Sequence, residues 1–184
     1  MAQCVASCTG VSIMSRNIEI KARVEDLDTV AEKVALIADS GPTELEQEDI
    51  FFRCDSGRLK LRVFSDGSGE LIYYRRADQG GPKESFYLRS PTSVPDILGE
   101  SLTLAYGQAG RVVKHRTLYV VGRTRVHLDA VQGLGRFLEL EVVLRDDESS
   151  QAGIVEALGL MERLGVTPEQ LIDGAYVDLL ARRG

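Results

Sequence analysis

The stretch NIEIKARV, residues 17–24, alternates strictly, with Ile18, Ile20, Ala22 and Val24 on one side and Asn17, Glu19, Lys21 and Arg23 on the other. This pattern predicts a strand with one apolar and one charged face. Leu27, Val30, Ala31, Val34 and Ala35 then recur at helical spacing, predicting a helix over 26–38 that Gly41 and Pro42 terminate. Further strands are predicted over 47–53, 58–64, 69–76 and 84–89. They are separated by the turn signals Asp55-Ser56-Gly57, Asp66-Gly67-Ser68-Gly69 and Gly80-Gly81-Pro82. A short helix over 94–105 tolerates Pro95 in its first turn.

Three longer alternating segments follow, over 111–121, 124–131 and 135–144. Residues 146–164 form an amphipathic pattern with Ile154, Leu158, Met161 and Leu164 on one stripe. Thr167 with Gln170 reads as a capping box with Pro168 at the first helical position, and residues 176–181 close the chain as a short helix. The count is about eight strands and three or four helices, and most connections are too short for parallel crossovers. The expected class is therefore α+β with a largely antiparallel sheet.

Composition places few limits on this picture. A chain of 184 residues with 43% hydrophobic and 27% charged residues suits one soluble globular domain. No run approaches the roughly 18 apolar residues of a membrane-spanning helix, so no membrane partner is expected. Two histidines are too few for a histidine-built zinc site. Cys4, Cys8 and Cys54 are odd in number and lack C-x-x-C spacing, which points to reduced thiols and a cytoplasmic location. Residues 1–15 carry no Arg or Lys, so they read as a disordered leader and not as a presequence or secretory signal. Residues 16–184 remain as a single domain, and Met14 is a candidate alternative start.

Charge placement is more informative than the net charge of -6. Lys60 and Arg62 share a face, as do Lys114 and Arg116, Glu139 and Glu141, and the set Arg125, His127 and Asp129; Arg75 ends the strand reading LIYYR. With Glu19, Lys21 and Arg23 the set holds eight cations and four carboxylates, a net of +4 that leaves -10 for the rest of the chain. Such asymmetry fits a basic cavity inside an acidic exterior, which draws in a small polyanion and repels long nucleic acid. Solvent-exposed ion pairs across a sheet would alternate in sign, whereas here like charges repeat at i, i+2. Four carboxylates would weaken a simple phosphate site, and a divalent cation, Mg²⁺ or Mn²⁺, resolves the conflict by bridging carboxylate and phosphate oxygens. Glu139 and Glu141 can meet Glu19 from a facing strand at such an ion. His127 shares the charged face, His115 points away from it, and Tyr87 and Arg89 are further candidates for substrate contact.

The order NIEIKARV, DIFFR, RLKLR, LIYYRR, VVKHRTLY, RVHLDAVQGLGRFLELEV and AYVDLL, spanning about 17–180, resembles the CYTH superfamily of triphosphate tunnel metalloenzymes. That superfamily includes class IV adenylyl cyclases, thiamine triphosphatases and inorganic triphosphatases. The resemblance implies an eight-stranded antiparallel β-barrel forming a closed tunnel flanked by helices. It also implies triphosphate-gripping roles for Lys60, Arg62, Arg75, Lys114, Arg116 and Arg125 beside Lys21 and Arg23. Asp129, Glu139 and Glu141 join Glu19 as the metal-linked acidic set. The family signature E-x-E-x-K reads here as Asn17-Ile18-Glu19-Ile20-Lys21, so an uncharged amide replaces the first glutamate.

The expected activity is metal-dependent hydrolysis of a small triphosphate, inorganic tripolyphosphate, thiamine triphosphate or a nucleoside triphosphate, with Glu19, Lys21 and Arg62 as catalytic residues. Cyclisation of ATP to cyclic AMP and pyrophosphate, as in class IV adenylyl cyclases, is the alternative, and a noncatalytic phosphate-binding module is the third reading. A small polyanion is the expected partner, and a homodimer is an open option.

Overall fold

The computed structural model describes residues 15–183. Eight strands, β1 (Ser15–Arg23), β2 (Ser40–Phe52), β3 (Arg58–Phe64), β4 (Gly69–Arg76), β5 (Lys83–Thr92), β6 (Gln108–Val121), β7 (Thr124–Val131) and β8 (Gly135–Val143), close into a barrel. The order around the ring is β1-β5-β4-β3-β2-β6-β7-β8, and every pairing is antiparallel. Four helices flank it: α1 (Leu27–Ala35), α2 (Pro95–Tyr106), α3 (Ser150–Leu164) and α4 (Tyr176–Ala181). Among the described residues no helix is long and apolar enough to cross a membrane. The expected leader falls outside the described residues except for Ser15, which opens β1.

Two apolar clusters hold this fold. Ile18, Ile20 and Ala22 of β1 point outward with Val126, Leu128, Leu138, Leu140 and Val142, and pack beneath α1 and α3 through Val30, Val34, Ala157, Leu160 and Leu164. Each of these large aliphatic side chains gains about 2 kcal/mol on burial. Close approach of α3 needs Gly153, because a Cβ there would meet Ile18 and Leu144 at 2.7 Å. The second cluster, Phe51, Ile72, Tyr74, Val112, Val131, Phe137, Ala175, Tyr176 and Val177, fills one end of the barrel. There α4 sits across β6, and a Cβ at Gly110 would lie 2.5 Å from Val177.

Several boundaries differ from the sequence pattern. The first helix stops at Ala35, not at residue 38, and the chain past Gly41 and Pro42 is already strand. β2 begins at Ser40 because it pairs along β6, from Ser40 opposite Val120 to Phe52 opposite Gln108. The last long helix begins at Ser150, four residues later than expected. Thr167 and Gln170 do form a capping contact, Thr167 N–H donating to Gln170 Oε1 at 2.8 Å, but the element is a single 3-10 turn. The glycines of QGLGR join β7 to β8 as a hairpin loop.

Candidate functional site

With its apolar residues turned outward, the barrel turns its charged residues inward. The cavity, about 310 Å³, is lined among the described residues by eight cations (Lys21, Lys60, Arg62, Arg76, Arg89, Lys114, Arg116, Arg125) and five carboxylates (Glu19, Asp49, Glu70, Glu139, Glu141). Tyr74 and Tyr176 form part of its floor, while Leu45, Phe64, Leu118 and Arg89 stand towards the opposite mouth.

On the wall made by β2, β3 and β6, cations outnumber anions. Asp49 accepts from Arg62 at 2.7 and 2.9 Å and from Lys60 at 2.8 Å, with Lys114 Nζ at 3.9 Å. Burial disfavours the Asp49 carboxylate, yet the Arg62, Lys60 and Lys114 charges hold it well below the usual carboxylate range. Burial, with Arg62 next, pulls the Lys60 ammonium down to about 8; burial, with Arg116 next, pulls Lys114 down to about 7. Asp49 thus serves Lys60 and Arg62, while Lys114 stands between it and Asp129, 3.8 Å away, and all three cations line the cavity.

On the wall made by β1, β7 and β8 carboxylates outnumber cations, and Arg116 reaches over to it from β6. Arg116 grips Asp129 through two bonds of 2.6 Å and also donates to Glu139 at 2.6 Å, while Tyr176 O–H donates to Asp129 at 2.9 Å. Lys21 lies 2.6 Å from the second oxygen of Glu139 and 3.9 Å above the Tyr176 ring. Arg125 holds Glu141 at 2.8 Å. Burial opposes ionisation of Glu139, but Lys21 and Arg116 keep its carboxyl well below the usual range. Burial also lowers the His127 pKa, leaving a neutral imidazole at pH 7.

His127, Glu139 and Glu141 each present one ligand atom, all within 4.8 Å of one another. The Nδ1 of His127 is buried without a hydrogen-bond partner, 3.8 Å from Glu139 and 3.9 Å from Glu141. Those spacings are too long for hydrogen bonds and right for donors around one ion. The donor set fits a divalent cation.

Six of the eight expected cations, Lys21, Lys60, Arg62, Lys114, Arg116 and Arg125, line the cavity. Arg23 does not: it ends β1 at the rim, donating to Leu134 O at 2.9 Å with its guanidinium 4.7 Å from the Phe137 ring centroid. Arg75 is likewise corrected, since Ile72, Tyr74 and Arg76 share the inner phase of β4 and Arg75 points to solvent. Arg76 ion-pairs with Glu19 and donates to Gly174 O at 2.8 Å. Of the expected metal set, Glu139 and Glu141 come together, whereas Glu19 is turned to Arg76 and Asp129 is sequestered by Arg116 and Tyr176. His127 lies with Glu139 and Glu141 instead. His115 faces outward beside Glu44 at 3.1 Å, with 44% of its side chain exposed.

Asp49, Glu70, Arg76 and Tyr176 do not stand out in the sequence as site residues. Inner parity, extended from Phe51 through Asp49 to Gln47 and from Arg76 back to Glu70, is the signal that finds three of them. Lys83, fully buried in register with Glu19 and donating to Gln79 O at 3.1 Å, is equally inconspicuous there.

A closed antiparallel barrel with an ionised interior and a plugged end defines the class of charged-tunnel proteins. The CYTH domain matches residues 15–176, and the chain belongs to that family. It is 26% identical over 168 residues to the adenylate cyclase CyaB of Aeromonas hydrophila, covering 86% of this chain and 85% of that protein. A Methanocaldococcus jannaschii protein with a provisional adenylate cyclase name is 21% identical, covering 88% and 97%. The PH1012 protein of Pyrococcus horikoshii superposes with a TM-score of 0.79 at 25% identity, covering 89% of this chain and 99% of that one.

Proposed function

We propose that this protein is a metal-dependent hydrolase of a small triphosphate. The observation that carries the reading is the pairing of two unlike walls in one cavity: Lys60, Arg62 and Lys114 gather around the carboxylate of Asp49, while one ligand atom each of His127, Glu139 and Glu141 lies within 4.8 Å of the others. The first wall suits phosphoryl oxygens, the second a cation.

Lys60, Arg62 and Lys114, with Lys21 and Arg125, grip the triphosphate, and Asp49 holds the Lys60 and Arg62 side chains in a fixed fork before it arrives. His127, Glu139 and Glu141 would hold the divalent ion, Mg²⁺ or Mn²⁺, which when bound neutralises phosphoryl charge. Glu19, beside Arg76 and Lys21, is the carboxylate that takes a proton from the attacking water. The water oxygen bonds to the terminal phosphorus, the bridging P–O bond breaks, and its electron pair leaves on the diphosphate. Arg116 and Lys21 face the charge that develops there and need no rearrangement, because Asp129 and Glu139 already fix them.

The names of the two curated relatives favour a second reading, attack by the ribose 3'-hydroxyl of ATP with loss of pyrophosphate. Product analysis decides between them. With Mn²⁺ or Mg²⁺, tripolyphosphate, thiamine triphosphate and ATP are expected to release orthophosphate. Cyclic AMP and pyrophosphate as the only products from ATP would establish the cyclase, and triphosphate binding without turnover would establish a binding module.

A further inference from the structure

We infer that His127 makes this site discriminate against Mg²⁺ in favour of first-row transition ions such as Mn²⁺, through a direct nitrogen bond. The inference rests on the metal-binding part of the proposed function. Imidazole is a poor donor to a hard ion that keeps its water shell and demands oxygen geometry, whereas Mn²⁺ and its heavier neighbours accept nitrogen readily. Two carboxylates with one imidazole therefore form a mixed set that penalises Mg²⁺ more than Mn²⁺.

The geometry around the ring supports coordination over a structural role. His127 is 4% exposed and lies between Glu139 and Leu118 across its two neighbouring strands, on the inner face of β7. A buried imidazole kept for structure would hydrogen-bond through Nδ1, yet that atom has no partner and faces two carboxylate oxygens at 3.8 and 3.9 Å. Lys21, Arg116 and Arg125 bind those same carboxylates and fix their orientation, as outer partners of metal ligands do. The chain has two histidines, and His115 lies outside the barrel, so an imidazole signal from a cavity ion has a single source.

The experiment loads the full-length protein with Mn²⁺ alone and records the electron spin-echo envelope. Modulation from one directly bound imidazole nitrogen is expected in the wild type and in His115→Gln. It is expected to vanish in His127→Gln, with Mn²⁺ affinity reduced on the order of 10- to 100-fold and affinity for Mg²⁺ changed much less. Stoichiometric Mn²⁺ without nitrogen modulation would overturn the inference, as would modulation that survives in His127→Gln, equal wild-type affinities for the two ions, or no Mn²⁺ binding. The wild-type spectrum is decisive even if the His127 variant fails to fold. Tripolyphosphate turnover without the nitrogen signal would sink the inference and leave the proposed hydrolase standing. Nitrogen-bound Mn²⁺ without turnover of any triphosphate would do the reverse.

Discussion

The β2–β3–β6 wall and the β1–β7–β8 wall use the same residue types in opposite proportions. On the first, Asp49 stands against Lys60, Arg62, Lys114 and Arg116; on the second, Glu19, Asp129, Glu139 and Glu141 stand against Lys21 and Arg125, and Arg116 reaches across to Asp129 and Glu139. β3 lies four strands from β8 in the ring of eight, so Lys60 and Arg62 face Glu139 and Glu141 across the cavity, while the walls meet where β6 pairs with β7. Neither wall is an efficient way to stabilise a fold, because buried ion pairs scarcely recover their desolvation cost. Stability comes from the apolar outer face beneath α1 and α3, which leaves the interior free to be arranged for a ligand. The imbalance itself is informative, since a purely structural set of ion pairs would neutralise each wall separately.

Breaking the cationic wall should have the largest effect. Arg62→Ala is expected to lower kcat/KM for tripolyphosphate by about 10²- to 10³-fold, with a melting temperature close to wild type. Steady-state kinetics beside a thermal melt check it, and unchanged turnover would remove Arg62 from the site. Weakening the acidic wall comes next: Glu141→Gln should reduce Mn²⁺ affinity by about 10- to 100-fold, as read by calorimetry. Unchanged affinity would exclude Glu141 as a ligand.

A pH series sharpens the contrast at smaller scale. Lys114 and Lys60 have folded-state values of about 7 and about 8, below the ordinary lysine value, so they lose protons in the folded protein first. Metal-free tripolyphosphate affinity should therefore fall as pH rises from 7 to 9, by about tenfold or more. Stability contributed by these two lysines should rise over the same range, because the unfolded chain binds more protons there. Affinity that is flat across the range would contradict the assignment. The smallest effect belongs to Arg75→Ala, expected to leave kinetics unchanged and stability within about 0.5 kcal/mol. Arg76→Ala, one residue along, removes the partner of Glu19 and should cost at least about tenfold in turnover.

How far the sequence reveals this depends on the kind of feature. Strict alternation in β1, β7 and β8 gives both the strands and the inward set, because a period of two admits a single choice of face. Arg75 and Arg76 show where that logic needs an anchor: two adjacent arginines at a strand end are separated only by the phase that Ile72 and Tyr74 establish. Arg23 has the inner phase but lies where the barrel ends, which periodicity does not encode. Residues 40–46 contain Gly41, Pro42 and two glutamates and have weak strand propensity, yet pairing with β6 makes them strand. Asp49 sits among Glu46 and Glu48 in an acidic stretch, and its partners come from β3 and β6, which local sequence does not connect. His127 could be placed on the charged face from sequence, but its lack of a hydrogen-bond partner is visible only in three dimensions.

Opposite walls that bind opposite charges should come apart in paired titrations of Arg62→Ala and Glu141→Gln with metal-free tripolyphosphate and with Mn²⁺ alone. Arg62→Ala is expected to lose the anion and keep Mn²⁺, while Glu141→Gln loses Mn²⁺ and keeps the anion. Loss of both ligands in either folded variant, or of neither in both, would contradict it.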